Sequence, residues 1–542
     1  MKPVYRYLLF FILLLPAIVL RDYTPDNELR YISLVDEALR NGTWFTFYDH
    51  GTVYADKPPL YFWYIMLMRV LFGAHYIAVI ALASLLPAIG IVAVMDRWMK
   101  EEGVKCDTAL AGMMLMVTAM YAGTALVLRM DMLMALFILL ALRTFYRMYK
   151  GTAGRRAKWL LPVYVFLAVF TKGPVGLLMP LVSIVAFLAW KRNLRSFGRY
   201  FGWGQWGILA GLSLVWFSLV YAEGGSEYLN NILFKQTVGR GVRSFHHAEP
   251  FYYYLTHFAY ALAPWSLLYV ASYVKGVKNR LWTTDIEKFL VAVSASTFVL
   301  LSVVSSKLDI YLVPAYPFMV YLAAQWIART EPSAWYRVAV ALPCVAFVGA
   351  LPVAGVLRDG LPFGLGDSIW VYFAASVLSL AGLLALWQLF YKARLASAVK
   401  TASMGFLVAV FFGAFAIPRV NPHIGFEYLG DRAAQMAREQ NIENFAYYDF
   451  DEGWYMDVFT GQSFRRIDNM EQLDSLEAQP YRSILLVRSV EIRRDTAFAR
   501  RIAQSIPFEQ KGAYSLYIVG GSARSVSSDA DKATDGHPAA HE

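Results

Sequence analysis

The sequence predicts a mainly α, polytopic membrane protein of about thirteen transmembrane helices with a small α/β domain near its C-terminus. Three observations carry this. Hydrophobic residues make up 58% of the 542 and charged residues only 17%, against roughly 25% charged in an ordinary soluble domain. Apolar stretches without charge recur from the first residues to about position 418. Beyond it the composition turns polar, and helix-like pieces alternate with strand-like ones. A soluble enzyme, a disordered chain and a disulfide scaffold are all excluded. The net charge of +10 reads as cytoplasmic loops, not nucleic-acid binding. The two cysteines suggest no disulfide, since Cys106 falls in a loop and Cys344 inside an apolar span.

Met1-Lys2 and the apolar run from Tyr7 to Leu20 read as an uncleaved first span, because Pro16 to Arg21 offers no small-x-small cleavage site. Spans are expected at roughly 4–20, 76–96, 107–123, 130–149, 158–171, 174–190, 203–222, 254–274, 288–305, 311–328, 336–356, 369–391 and 401–418. The segment from Leu60 to Gly73 is aromatic, carries Arg69 and reads as an interfacial helix. With the N-terminus inside, the cytoplasmic gaps carry about twice as many Lys and Arg as the opposite ones, as the positive-inside rule requires. An odd number of spans then puts the C-terminus outside. Residues 1–420 form the membrane domain and 421–520 a periplasmic α/β domain. Within the latter, 431–440, 470–479 and 496–505 suit helices, and 444–450, 482–489 and 513–521 suit strands. The polar tail 521–542 reads as disordered.

Charges that persist in the outer gaps, close to span ends, call for a function. The first outer loop holds Asp22, Asp26, Glu28, Arg30, Asp49, Asp56 and Lys57. Others are Arg129 and Asp131, Lys172, then Lys235, Arg240 and Arg243, and finally Lys307 and Asp309. All fall on one side of the membrane at similar depth, the layout of a periplasm-facing active site. Several cations beside lipid suit a phosphate or diphosphate headgroup, and carboxylates among them suit general-base work or a metal. A lipid-phosphate substrate joins both observations. No Walker A pattern or Rossmann glycine fingerprint is present.

The first loop, residues 24–63, resembles the first periplasmic loop of the GT-C glycosyltransferases. It is most similar to the bacterial branch that holds the lipid A aminoarabinose transferases and relatives of the protein O-mannosyltransferases. The resemblance lies in Pro25-Asp26, Glu28, Arg30-Tyr31, the turn Gly42-Thr43-Trp44, and Asp56-Lys57-Pro58-Pro59-Leu60-Tyr61-Phe62-Trp63. Arg129-Met130-Asp131, Thr171-Lys172-Gly173-Pro174 and the stretch from Ser305 to Pro314 continue it in order and in membrane side. It covers about 1–330.

The resemblance implies roles. Asp26 would be the catalytic carboxylate at the donor–acceptor junction, with Asp56 and Asp131 completing the acidic set and Asp131 orienting the site. Lys57 would contact the donor phosphate, joined by Lys172, Arg240, Lys307 and Tyr311. Glu28, Arg30 and Tyr31 would position donor and acceptor. Two departures stand out: Asp56 replaces the usual Glu before Lys-Pro, and Gln236 stands where a His that can join a metal site is usual. No metal site is therefore carried over, although His246, His247 and His257 are near. No cofactor is required, and a divalent cation could assist departure of the phosphate.

Each residue also has a plainer reading. Asp26 suits a helix N-cap, Lys57 a snorkelling interface lysine, and His246-His247 a solvated loop pair. The function expected is an inverting glycosyltransferase of the bacterial inner membrane. It would move a sugar from a polyprenyl (undecaprenyl) phosphate to an outer-face acceptor, lipid A or another envelope glycan, with protein as the runner-up. A lipid or solute transporter with a periplasmic cap is the rival from another class; it would carry mid-span charge and matching halves, whereas this sequence has almost no charge at mid-span and no evident inverted repeat.

Overall fold

The structure, a computed structural model, describes residues 2–234, 249–494, 496–502 and 507–521. All the predicted spans fall on helices. Eight described helices are long and apolar enough to cross a membrane, or nine if the pair Thr108–Val117 and Ala119–Leu126, bent by 69°, is one span. The other four predicted spans fall on shorter or broken helices. These are Pro3–Val19, Ala157–Lys172, Val175–Trp190, and the pair Tyr253–Ala261 and Ser266–Lys278, interrupted around Pro264. At ~1.5 Å per residue a 16-residue helix reaches only about 24 Å, short of a ~30 Å hydrocarbon core. The predicted interfacial segment is the helix Leu60–Phe72. The chain is thus a mainly helical, multi-span membrane protein with a C-terminal mixed β-sheet domain.

Two units divide the chain by packing: Met1–Leu20 with Leu34–Ile417, and Arg21–Ser33 with Pro418–Glu542. In the first, the segment Asp309–Arg329 is the most enclosed of the candidate spans. Apolar contact alone does not drive helices together in lipid, so close approach through small residues matters. Helices Ile369–Phe390 and Leu395–Ala414 show this: a Cβ on Gly405 would lie 2.0 Å from the Cβ of Ala381. Between Asn41 and Leu60 a two-stranded hairpin forms, β1 (Tyr48–Asp49) pairing antiparallel with β2 (Thr52–Val53).

The second unit is built on a five-stranded sheet. Its strands are β3 (Asn444–Tyr448), β4 (Phe464–Ile467), β5 (Arg482–Arg488), β6 (Glu509–Lys511) and β7 (Tyr514–Gly520), in the order β4-β3-β5-β7-β6. β3 lies parallel to both β4 and β5, while β7 runs antiparallel to β5 and β6. Burial explains the pattern: β5 is buried from Ser483 to Val487, as a central strand covered on both faces should be. Helices Glu427–Gln440, Met470–Glu477 and Thr496–Ile502 accompany the sheet. The predicted pieces at 444–450, 482–489 and 513–521 are β3, β5 and β7. The sequence reading passed over β4 and β6, short edge strands carrying charge, as edges commonly do. The predicted disordered tail lies, but for Gly521, outside the described residues.

Candidate active site

In the membrane unit an ion-pair cluster forms at helix ends. Asp131 is the first residue of the helix Asp131–Tyr149 and Lys172 the last of Ala157–Lys172. An acid at a helix N-terminus and a base at a C-terminus each complement the helix dipole. The two meet: Lys172 Nζ donates to Asp131 Oδ1. Asp131 is 1% exposed. Its Oδ2 lies 3.6 Å from Arg129 Nε and has no hydrogen-bond partner among the described residues. The Lys172 ammonium also sits over the ring of Tyr311, 4.9 Å from its centroid. Tyr311 comes from the 3₁₀ segment Asp309–Ala315. Arg129, Asp131, Lys172 and Tyr311, distant in sequence, are thus one constellation.

A second set of contacts ties the first loop to the same helices. Ser84 Oγ donates to Arg129 O at 2.9 Å, and Tyr61 OH lies 3.3 Å from Ser84 Oγ. Tyr61 belongs to the helix opened by Pro58-Pro59, immediately after Asp56 and Lys57, both half-buried. Trp63 of that helix packs edge-on against Phe170, two residues before Lys172, at 5.2 Å, and its indole N–H donates to Trp44 O at 2.6 Å. The loop is held from the far side by Glu223. Glu223 Oε1 accepts from Trp44 N at 2.6 Å, and Oε2 from Phe45 N at 2.7 Å, Thr46 N at 2.6 Å and Thr46 Oγ1 at 2.8 Å. Tyr228 OH accepts from Phe47 N and donates to Tyr54 O. Glu37 takes both N–H groups of the His50-Gly51 turn, at 2.8 and 3.0 Å.

Sequence reasoning missed Glu223, Tyr228 and Glu37. Glu223 was the one with a signal, a lone acid near the end of an apolar span. Lys307 is buried, and its ammonium donates to Glu249 O at 2.8 Å and Val304 O at 2.7 Å, so two of its three donors serve the backbone. Asp309 accepts from Tyr260 OH.

The second unit holds the other predicted residues. Glu28 is buried and receives both guanidinium arms of Arg21 at 2.6 Å and Thr24 N at 2.7 Å. Tyr31 is buried. Asp26 is exposed; its Oδ2 accepts from Asn27 Nδ2 at 2.9 Å and its Oδ1 from Arg30 Nη2 at 3.3 Å. Side chains hold it there, rather than the backbone N–H bonds of an N-cap. Asp22 is buried, with Oδ1 accepting from Tyr23 N at 2.6 Å and Oδ2 from Glu427 N at 2.9 Å. Burial, opposed by these bonds and reinforced by the Glu427 charge, pushes its carboxyl up to about 6.

Arg240 lies outside the described residues, as do Lys235, Gln236, Arg243, His246 and His247. Among the described residues no group of three His, Cys, Asp or Glu is placed to hold a metal. The His257 ring stacks on Tyr253 at 3.9 Å, and its Nδ1 lies 2.8 Å from Tyr253 O.

Around this buried acid–base pair, the chain is a multi-span protein whose fold is like that of ArnT. The particular likeness is to ArnT from Cupriavidus metallidurans, a structure solved with undecaprenyl phosphate bound. It superposes with a TM-score of 0.75 at 16% identity, covering 95% of this chain and 97% of that one. The apo state of the same protein gives 0.75 at 18% identity. In sequence, the chain is 26% identical over 329 residues to the undecaprenyl phosphate-alpha-4-amino-4-deoxy-L-arabinose arabinosyl transferase of Shewanella sediminis, covering 59% of this chain and 58% of that protein. It is 24% identical over 327 residues to an uncharacterized protein of Aquifex aeolicus, covering 59% and 64%. The matched region thus spans less than two thirds of either relative. No protein-family model matches the chain.

Proposed function

We propose that this protein is an inverting glycosyltransferase of the bacterial inner membrane that takes a sugar from a polyprenyl phosphate, undecaprenyl in kind, and gives it to lipid A or another envelope glycan on the outer face. The observation that carries this reading is the Arg129–Asp131–Lys172–Tyr311 cluster, set on an ArnT-like fold beside the loop that bears Lys57. The chemistry follows from the residues. The acceptor hydroxyl oxygen attacks the anomeric carbon, its proton passes to the Asp26 carboxylate, and the bond from that carbon to the phosphate oxygen breaks. The phosphate leaves with the bonding pair, and Lys57, Lys172 and Arg240 stabilise the charge that grows on it. Asp131 holds Lys172 in place by accepting from its ammonium, and Tyr311 faces the same ammonium. No step here runs through a metal.

The test uses purified full-length protein with undecaprenyl-phosphate-linked sugars and lipid A, following release of undecaprenyl phosphate together with glycosylated acceptor. Turnover with at least one such donor is expected, and its loss in Asp26→Asn, which keeps the size but cannot take a proton at neutral pH. Wild-type protein that turns over no polyprenyl-phosphate sugar would sink the reading.

A further inference from the structure

Tyr455 stands past the carboxyl end of β3 in the C-terminal sheet. It lies in the 3₁₀ turn Gly453–Met456 that follows β3, and it is fully buried. In open α/β sheets this is where functional groups gather, where the chain leaves neighbouring parallel strands in opposite directions. Here β3 is flanked by β4 on one side and β5 on the other. The turn is pressed onto the sheet, for a Cβ on Gly453 would lie 2.4 Å from the Tyr447 ring.

The Tyr455 hydroxyl accepts from Arg30 Nε at 2.7 Å. The Arg30 guanidinium also lies over the Tyr455 ring, 5.7 Å from its centroid. One bond to Nε and one ring beneath the plane fix the orientation of a planar fork. The Nη2 arm then reaches Asp26 Oδ1 at 3.3 Å. Asp26 needs such a guide, because its side chain is 60% exposed and an exposed carboxylate has rotamer freedom to lose. A second link joins the same two segments, Ser33 Oγ donating to Asp457 Oδ2 at 3.4 Å, and it does not reach Asp26.

We propose that Tyr455 is a positioning residue for transfer: by orienting Arg30 it holds the Asp26 carboxylate, so the C-terminal α/β unit takes part in catalysis. This rests on the reading of Asp26 as the carboxylate that takes the acceptor proton. The hydroxyl of a residue over 400 positions away in sequence thereby sets the geometry of the first loop's acid.

The experiment compares wild type, Tyr455→Phe, Arg30→Gln, the double variant, Ser33→Ala and Asp26→Asn. All are full-length and purified, with kcat, KM for donor and acceptor, and thermal unfolding measured for each. Tyr455→Phe keeps the ring under the guanidinium and removes only the hydroxyl. Its kcat is expected to fall about tenfold with both KM values and the unfolding temperature little changed. In the Arg30→Gln background it should add nothing, since it acts through Arg30. Ser33→Ala should keep wild-type turnover. Should Tyr455→Phe fold poorly, Arg30→Lys, whose point charge cannot serve Tyr455 and Asp26 as a fork, carries the same expectation in kcat. Unchanged kcat in Tyr455→Phe, an additive loss with Arg30→Gln, or a lower unfolding temperature with normal turnover per folded molecule would each overturn the proposal. Asp26→Asn separates the two ideas. If it is inactive while Tyr455→Phe is normal, only the positioning role falls; if it turns over like wild type, the assignment of Asp26 falls too.

Discussion

Lys57 and Asp22 show how differently single charges of the first loop are used. Lys57 follows Asp56 and precedes two prolines that open a helix anchored through Tyr61 and Trp63, so its backbone has little freedom. If its partner is the donor phosphate, a charge-assisted contact of roughly 1.5–3 kcal/mol is at stake. Lys57→Ala should then lose about tenfold to a hundredfold in catalytic efficiency, and Lys57→Arg should be partly tolerated. A snorkelling lysine would instead lower the amount of folded protein and leave activity per molecule intact. Titrating donor at matched protein amount separates these outcomes. Asp22 is structural. Burial raises its carboxyl to about 6, above the ~3.9 of an unfolded aspartate. The folded state therefore binds the proton more tightly, and the associated stability is present below about pH 4 and lost as pH rises through about 6. Unfolding temperature measured across that window should fall with pH in wild type more steeply than in Asp22→Asn. That variant cannot titrate, and it sets an amide NH₂ against one of two backbone N–H groups. Equal slopes would refute this account.

At the scale of elements, the first loop is held by acids that the sequence did not single out. One Glu223 carboxylate gathers the backbone N–H groups of Trp44, Phe45 and Thr46. A glutamine offers one acceptor oxygen and turns its NH₂ toward donors, so Glu223→Gln should cost about 1.5–3 kcal/mol and depress turnover as the segment leading to Lys57 loosens. Thermal unfolding in detergent checks the first part; an unchanged midpoint would mean the loop stands on its own hairpin. Turns built this way leave no periodic trace, because the partners are main-chain atoms of residues about 180 positions away. The spans, by contrast, were legible throughout, since each must be apolar over its length. The pairing of Asp131 with Lys172 was not: their place at the ends of spans was legible, but which acid meets which base depends on how the helices pack. The edge strands β4 and β6 escaped for the reverse reason, being too short and too charged for alternation to register.

Over the whole molecule, the excess of Lys and Arg in alternate gaps is what supports the proposed orientation in the membrane. Reporter fusions after Arg156 and after Gly430 should therefore report opposite sides, cytoplasmic and periplasmic. Agreement between them would displace both the span count and the proposed outer-face site. The sequence by itself determined the class of protein, the order of the spans, the alternation in the C-terminal domain and the candidate residues of the first loop. Local apolarity, periodicity and short motifs need no tertiary partner to be read. Only the tertiary structure decided which charges pair. It set Lys172 between Asp131 and the Tyr311 ring, turned two of the Lys307 donors to backbone carbonyls, and clamped Arg30 on Tyr455. The physical reason is that a buried or oriented charge is satisfied by whatever the fold brings within about 3 Å, and that neighbour is set by packing rather than by position in the chain.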